Sequence, residues 1–119
     1  MTLDELKTFK SRLIKAGYKP TTFCKSNDRA DYEYYKAFRE PTADPDNEDV
    51  LKYQVFFQIW NFEQFRPGCG YGVSVCIIPN SCINNVGRRD LELSVDWSTD
   101  IERVEKCAAG FYEFIKTMD

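Results

Sequence analysis

The sequence predicts one α+β domain over 1–119, a two-layer sandwich with the element order α-β-β-β-β-α. In this fold a four-stranded antiparallel meander carries both terminal helices on one face. Three observations support it: both ends of the chain show helical apolar spacing, the middle alternates apolar and polar residues, and the connections between segments are short. A chain of 119 residues with 43% hydrophobic residues can bury a single core.

The first predicted helix covers 2–16. Thr2 and Glu5 have the T-x-x-E spacing, at which each side chain can accept a hydrogen bond from the other residue's backbone N–H. Gly17 follows as a C-terminal stop, and Pro20 prevents the helix from continuing. One apolar stripe at helical spacing would face the core, at Leu6, Phe9, Leu13 and Ala16.

The middle of the chain alternates at the period of a strand. The predicted strands cover 31–39, 51–62, 71–78 and 90–97, and the connections cover 40–49, 66–70 and 79–89. In the clearest strand one face carries Tyr53, Val55, Phe57 and Ile59. We expect this face to meet the helices, because it is consistently apolar.

The second predicted helix covers about 100–117. Thr99 and Glu102 repeat the T-x-x-E start signal, and apolar residues follow at helical spacing. Gly110 lies inside this helix at a cost of about 1 kcal/mol relative to alanine. That cost predicts a close approach between the helix and a neighbouring element.

The charge is unevenly distributed along the chain. The net charge is −3, which argues against general binding to duplex nucleic acid, because phosphate contacts need a basic field. Residues 40–49 contain no base and five acids, at Glu40, Asp44, Asp46, Glu48 and Asp49. The first helix and the residues after it are the opposite, with Lys7, Lys10, Arg12, Lys15 and Lys19 against Asp4 and Glu5.

The absence of histidine removes several kinds of chemistry. The chain has no histidine, so it has no Ser-His or Cys-His nucleophile and no imidazole metal ligand. Its five cysteines include no C-x2–4-C pair, and we expect reduced thiols and no bound zinc. The acids of 44–49 lack the glycine of a calcium loop. We therefore predict no metal and no cofactor.

The chain shows no targeting or membrane-spanning segment. Residues 1–20 are amphipathic and charged, without the apolar region of a signal peptide. No apolar run reaches the roughly 20 residues that cross a bilayer. With an odd number of cysteines and no export signal, the prediction is a cytoplasmic protein that does not bind membranes.

Carboxylates and aromatics offer two further candidate sites. Glu92 and Asp96 share a strand face, but four residues along a strand separate them by roughly 13 Å, whereas glycosidase pairs need about 5 to 10 Å. A second carboxylate from elsewhere in the chain, such as Glu33 or Glu63, is the remaining way to complete a catalytic pair with Glu92 or Asp96. One cluster joins aromatics to bases and could stack single-stranded nucleic acid, although strand alternation divides it between two faces: Tyr32, Tyr34, Tyr35, Lys36 and Arg39.

The most informative predicted surface is the sheet face opposite the helices. A solvated sheet face is normally polar, whereas this one mixes polar and aromatic residues: Gln54, Phe56, Gln58, Trp60, Ser74, Cys76, Ile78, Glu92, Ser94 and Asp96. Phe56, Trp60 and Ile78 in a polar frame are typical of a protein contact. The alternative is that a loop, 18–30 or 79–89, covers them.

These patterns favour a non-enzymatic protein that binds another protein, or a second copy of itself, through the open sheet face. Inhibitors, chaperones and assembly subunits belong to this class. A more specific hypothesis is an inhibitor of a nucleic-acid enzyme, whose basic cleft would receive the acids of 40–49. The alternative is a small enzyme or ligand-binding domain that uses carboxylates and aromatics near Trp60.

Overall fold

A computed structural model describes residues 1–21, 30–40, 50–79, 91–93 and 99–117. The elements are α1 (Leu3–Lys15), β1 (Lys19–Thr21), β2 (Ala30–Glu40), β3 (Val50–Asn61), β4 (Tyr71–Pro79), β5 (Leu91–Leu93) and α2 (Ile101–Lys116). The strands form one antiparallel sheet in the order β1-β2-β3-β4-β5. The predicted α+β order and antiparallel meander are confirmed, with one short strand added at the β2 edge.

The sequence pattern did not predict the added strand β1, because this strand has only three residues and contains Pro20. Pro20 pairs with Tyr34 at the edge of the sheet, where a residue without an N–H donor is tolerated. At the opposite edge, β5 is described only over Leu91–Leu93. The other positions of the predicted strand 90–97 lie outside the described residues.

Both helices pack against the same sheet face. Buried residues from α1, α2 and the apolar sides of β3 and β4 form one core cluster, so the two helices share a layer. The cluster includes Leu6, Phe9, Leu13, Val55, Phe57, Ile59, Val75, Ile77, Val104 and Ala108. Phe57 is its aromatic centre: the ring of Phe9 lies 5.8 Å away and that of Tyr18 lies 5.1 Å away, both edge-on.

The N-terminal cap of α1 forms as predicted. The Thr2 hydroxyl accepts from the Glu5 backbone N–H, and the Glu5 carboxylate accepts from the Thr2 backbone N–H at 3.1 Å. That backbone hydrogen bond lowers the pKa of Glu5. Gly17 then takes φ 95°, a left-handed conformation that favours glycine after a helix.

The described residues depart from two expectations about α2. Its N-cap is Asp100 and not Thr99. The Asp100 carboxylate accepts from the Arg103 backbone N–H at 3.2 Å. Aspartate is as good a cap as threonine, so the position of the cap depends on where the helix docks. Gly110 is exposed, and a Cβ there would meet no described residue within 4 Å, so no close approach within the described part of the chain explains this glycine.

Lys36 of β2 joins the two helices to the sheet. Its Nζ donates to the Ala16 carbonyl at the end of α1 at 2.8 Å and lies 3.7 Å from a carboxylate oxygen of Glu105 on α2. The Tyr18 hydroxyl donates to the same Glu105 oxygen at 3.3 Å. Burial and then the Glu105 charge raise the pKa of Tyr18 above its ordinary value, and both also raise the pKa of Tyr53.

The turn between β3 and β4 lies where the sequence predicted it, around 66–70. The Glu63 carboxylate closes it by accepting from the backbone N–H groups of Gly68 at 3.0 Å and Gly70 at 2.8 Å. Both glycines have positive φ. No helix among the described residues is long and apolar enough to cross a bilayer.

Candidate functional site

The sheet face that carries no helix brings the predicted contact residues together. The register aligns Glu33, Gln58 and Ser74 across β2, β3 and β4. The next row aligns Tyr35, Phe56 and Cys76. We call this surface the mixed face; its described members are Glu33, Tyr35, Gln54, Phe56, Gln58, Trp60, Ser74, Cys76 and Ile78.

A directed chain of hydrogen bonds crosses the mixed face. Trp60 Nε1 donates to Ser74 Oγ at 2.9 Å, and Ser74 Oγ donates to Gln58 Oε1 at 3.2 Å. Gln58 Nε2 then donates to Glu33 Oε2 at 3.2 Å. Every donor points toward the Glu33 carboxylate, so each bond can polarise the next. Four side chains on three strands are thereby held in one arrangement.

Glu33 is the most deeply buried member of this chain of hydrogen bonds, with 3% of its surface exposed. Burial of a carboxylate requires donors to replace water, and Gln58 supplies one of them. The mixed face is therefore not a fully solvated surface at β2. It combines a buried acceptor with rings that remain partly open.

The aromatic residues of the mixed face are half-buried. Tyr35 and Phe56 stack with ring centroids 5.9 Å apart and planes 22° apart. Phe56, Trp60 and Ile78 are each intermediate in exposure, neither open to water nor buried in the core. Since the Trp60 N–H already has its acceptor, a partner could cover the indole ring without leaving that donor unpaired.

The structure places only part of the predicted contact set. Phe56, Gln58, Trp60 and Ile78 lie on the mixed face, as predicted, and the register sets Glu92 opposite Cys76. The other predicted contact residues, Asp44, Asp46, Glu48, Asp49 and Asp96, lie outside the described residues.

Of the carboxylates considered for catalysis, Glu33, Glu63 and Glu92 lie on described elements and are not brought together. Glu33 lies on β2 and Glu92 on β5, with β3 and β4 between them, which corresponds to about 14 Å at the usual strand spacing. Glu63 is committed to the two glycine N–H groups of the β3–β4 turn. An open depression of about 610 Å³ beside that turn also contains Glu5, whose carboxylate is held by Thr2.

The aromatic and basic cluster of β2 is divided between the two faces. Tyr34 is buried in the core, whereas Tyr35 stacks on the mixed face. Lys36 points to the helix layer, where it binds Ala16 and Glu105. These side chains therefore do not form one platform for nucleic-acid bases.

The described cysteines are separate from one another. Cys69 is exposed, Cys76 and Cys107 are half-buried, and none of these three is in a disulfide. Cys24 and Cys82 lie outside the described residues. Within the part of the chain that the structure describes, no group of three or more cysteine, aspartate or glutamate side chains is placed to hold a metal ion.

Sequence reasoning missed the roles of Glu33 and Tyr35 on the mixed face. Both lie on β2, and only the β2–β3 register shows that they face Gln58 and Phe56. The alternation of residues along β2 separates Tyr35 from its neighbours by face, but it does not show which ring Tyr35 will stack on.

Comparison with protein-family models, with curated proteins and with solved structures finds no match to this chain.

Proposed function

We propose that this chain is a non-enzymatic protein that acts by binding another protein, with the mixed face as its contact surface. The observation that carries the proposal is the set of hydrogen bonds from Trp60 through Ser74 and Gln58 to Glu33. They hold the polar groups in place before any partner arrives. Docking on such a surface orders few side chains and leaves few hydrogen-bond donors unpaired, which lowers the cost of association.

The half-exposed rings supply the apolar contact. Trp60 and Phe56 lie within a polar frame on the same face, the composition found at the centre of many protein interfaces. At about 25 cal/mol per Å² of apolar surface, two such rings can supply several kcal/mol before association costs. The partner is another protein or a second copy of this chain.

The test compares three forms of the chain immobilised for capture from a lysate of its source. Trp60→Ala should weaken retention of the captured partner by about thirtyfold or more, because central aromatic truncations cost about 2 kcal/mol or more. The matched control is Phe114→Ala on α2, where the ring is 60% exposed but lies on the helix layer. Phe114→Ala should retain the partner as the unaltered chain does.

Trp60→Ala also removes a hydrogen-bond donor, so its fold is checked by urea unfolding. Retention that is equal for both variants would contradict the proposal. A single protein at one-to-one stoichiometry, lost only with Trp60→Ala, supports it. If the chain itself is the partner, sedimentation should show a dimer that Trp60→Ala dissociates.

A finer form of the proposal gives the partner a basic, nucleic-acid-binding surface. It rests on the acids of 40–49 in the sequence. Replacing Asp44, Asp46, Glu48 and Asp49 with Asn or Gln should lower the association rate and its dependence on salt, while the melting temperature stays nearly unchanged. Unchanged association kinetics would contradict the hypothesis of a basic partner. The proposal that the mixed face is the contact surface would still stand.

One observation favours a second candidate, a ligand-binding domain or small enzyme. Glu33 is a buried carboxylate within a polar network that ends at Trp60. Native mass spectrometry of the purified chain distinguishes the two. A small molecule that copurifies with the chain and is lost with Glu33→Gln supports this second function, and a chain of unmodified mass counts against it.

A further inference from the structure

Helix α1 buries one stripe of residues, and beside it runs a second stripe in which Leu3, Lys7 and Ile14 are exposed and Lys10 is half-buried. Leu6, Phe9 and Leu13 are buried in the core. The second stripe follows the spacing of four, three and four residues that places side chains in one row along a helix. We call this row the outer flank; it consists of Leu3, Lys7, Lys10 and Ile14.

The two ends of the outer flank are exposed aliphatic residues. Leu3 is 49% exposed and Ile14 is 53% exposed, and neither belongs to the core cluster. They stand eleven positions apart along α1, which corresponds to about 16 Å along the helix axis. Lys7 and Lys10 lie between them, so the flank has an apolar, basic, apolar sequence.

The flank lies in a locally positive part of an acidic chain. Residues 6–19 contain no acid and five bases, at Lys7, Lys10, Arg12, Lys15 and Lys19. The acids of α1, Asp4 and Glu5, are confined to its first turn, and Glu5 is bound to Thr2. A field of this sign attracts a negatively charged partner at long range.

From these features we infer that the outer flank of α1 docks an acidic amphipathic helix of another protein. Such a helix can present two apolar residues three turns apart, which would meet Leu3 and Ile14 at the same spacing. An acidic residue between them would face the exposed Lys7. This surface lies in the helix layer, so the inference does not depend on the mixed face.

Two other anionic partners fit the flank less well. Single-stranded nucleic acid binds to aromatic platforms, and the flank has none. A bilayer would need a broad apolar stripe for insertion, whereas the main apolar stripe of α1 is buried in the core. An acidic helix uses both Lys7 and the two aliphatic ends.

The probe is a synthetic acidic helical peptide whose two leucines stand eleven positions apart, separated by glutamates. A control peptide has the same composition, with the leucines on opposite helix faces. In two-dimensional NMR, the first peptide should shift backbone amides of residues 3–15, and the control peptide should bind more weakly. Binding should weaken at high salt, because exposed charge pairs are screened.

The chain offers matched variants for this experiment. Lys7→Gln combined with Ile14→Ala should lower the affinity for the first peptide about tenfold, since it removes one charge contact and one apolar contact from exposed positions. Lys106→Gln combined with Phe114→Ala makes the same kinds of change on the exposed surface of α2 and should leave the affinity unchanged. Circular dichroism confirms that both double variants remain folded.

Three results would overturn the inference. They are an absence of shifts in residues 3–15, equal affinity of the two peptides, and equal losses in the two double variants. Stronger perturbation of the same residues by oligothymidylate or by phosphatidylserine vesicles would also overturn it, in favour of nucleic acid or lipid. Failure of the Trp60→Ala capture experiment would leave these peptide measurements unaffected.

Discussion

Glu105 of α2 illustrates how one side chain joins a helix to a strand and to the connection between α1 and β1. It accepts from the Tyr18 hydroxyl at 3.3 Å, and its carboxylate lies 3.7 Å from Lys36 Nζ. Lys36 in turn donates to the carbonyl of Ala16, the C-cap residue of α1. The sequence assigned Lys36 only to a mixed aromatic and basic cluster, because a single chain does not show which helix residues will lie above a given strand position.

This arrangement predicts a loss of stability at alkaline pH. The folded state holds the pKa of Tyr18 and of Tyr53 above the ordinary value of 10.0. The resulting stabilisation is complete below pH 10 and is lost as pH rises further, because the unfolded chain then releases protons that the folded chain keeps. The free energy of unfolding should therefore fall with pH above that point.

Tyr18→Phe isolates the contribution of Tyr18. It removes the ionisable group next to Glu105 and Lys36, so the fall in unfolding free energy above pH 10 should be shallower than in the unaltered chain. At neutral pH it should cost about 1 kcal/mol for the lost hydrogen bond. Urea unfolding over a series of pH values measures both effects, and identical slopes in the two proteins would show that Tyr18 does not titrate as described.

The elements of this fold differ in how far the sequence determines them. The start of α1 was predictable from Thr2 and Glu5, because a capping box is a local interaction. The alternation of β3 was equally clear. Two other features were not predictable: the cap of α2 at Asp100 and the strand β1. Each depends on how distant parts of the chain dock.

The β3–β4 turn yields a paired test at the scale of one element. Gly68 and Gly70 have φ of 90° and 71°, so alanine is strained at both positions. A Cβ at Gly70 would also lie 2.6 Å from the Met1 carbonyl oxygen, whereas a Cβ at Gly68 would meet none of the described residues within 4 Å.

Gly68→Ala should therefore cost about 1 kcal/mol of unfolding free energy, the usual penalty for a left-handed alanine. Gly70→Ala should cost about 1 kcal/mol or more beyond that, because the Met1 backbone must move. Thermal unfolding of the two variants measures the difference. Equal melting temperatures would mean that the Met1 backbone moves away from the added methyl group without a measurable cost.

At the scale of the whole molecule, two helices cover one face of the sheet and leave the other to a polar and aromatic surface. The sequence predicted this division because apolar and mixed residues alternate along β3. It also predicted that Phe56, Gln58, Trp60 and Ile78 would lie together. It did not predict the burial of Glu33 or the order of the hydrogen bonds, since these follow from the register of three strands.

The central claim is that a partner protein contacts the mixed face. Photo-crosslinking tests it most directly, with a benzophenone side chain placed at Gln54 on the mixed face or at Phe114 on the helix layer. The account predicts one discrete, heavier product from position 54 in a lysate of the source and none from position 114. No product from position 54, or the same product from both positions, would contradict it.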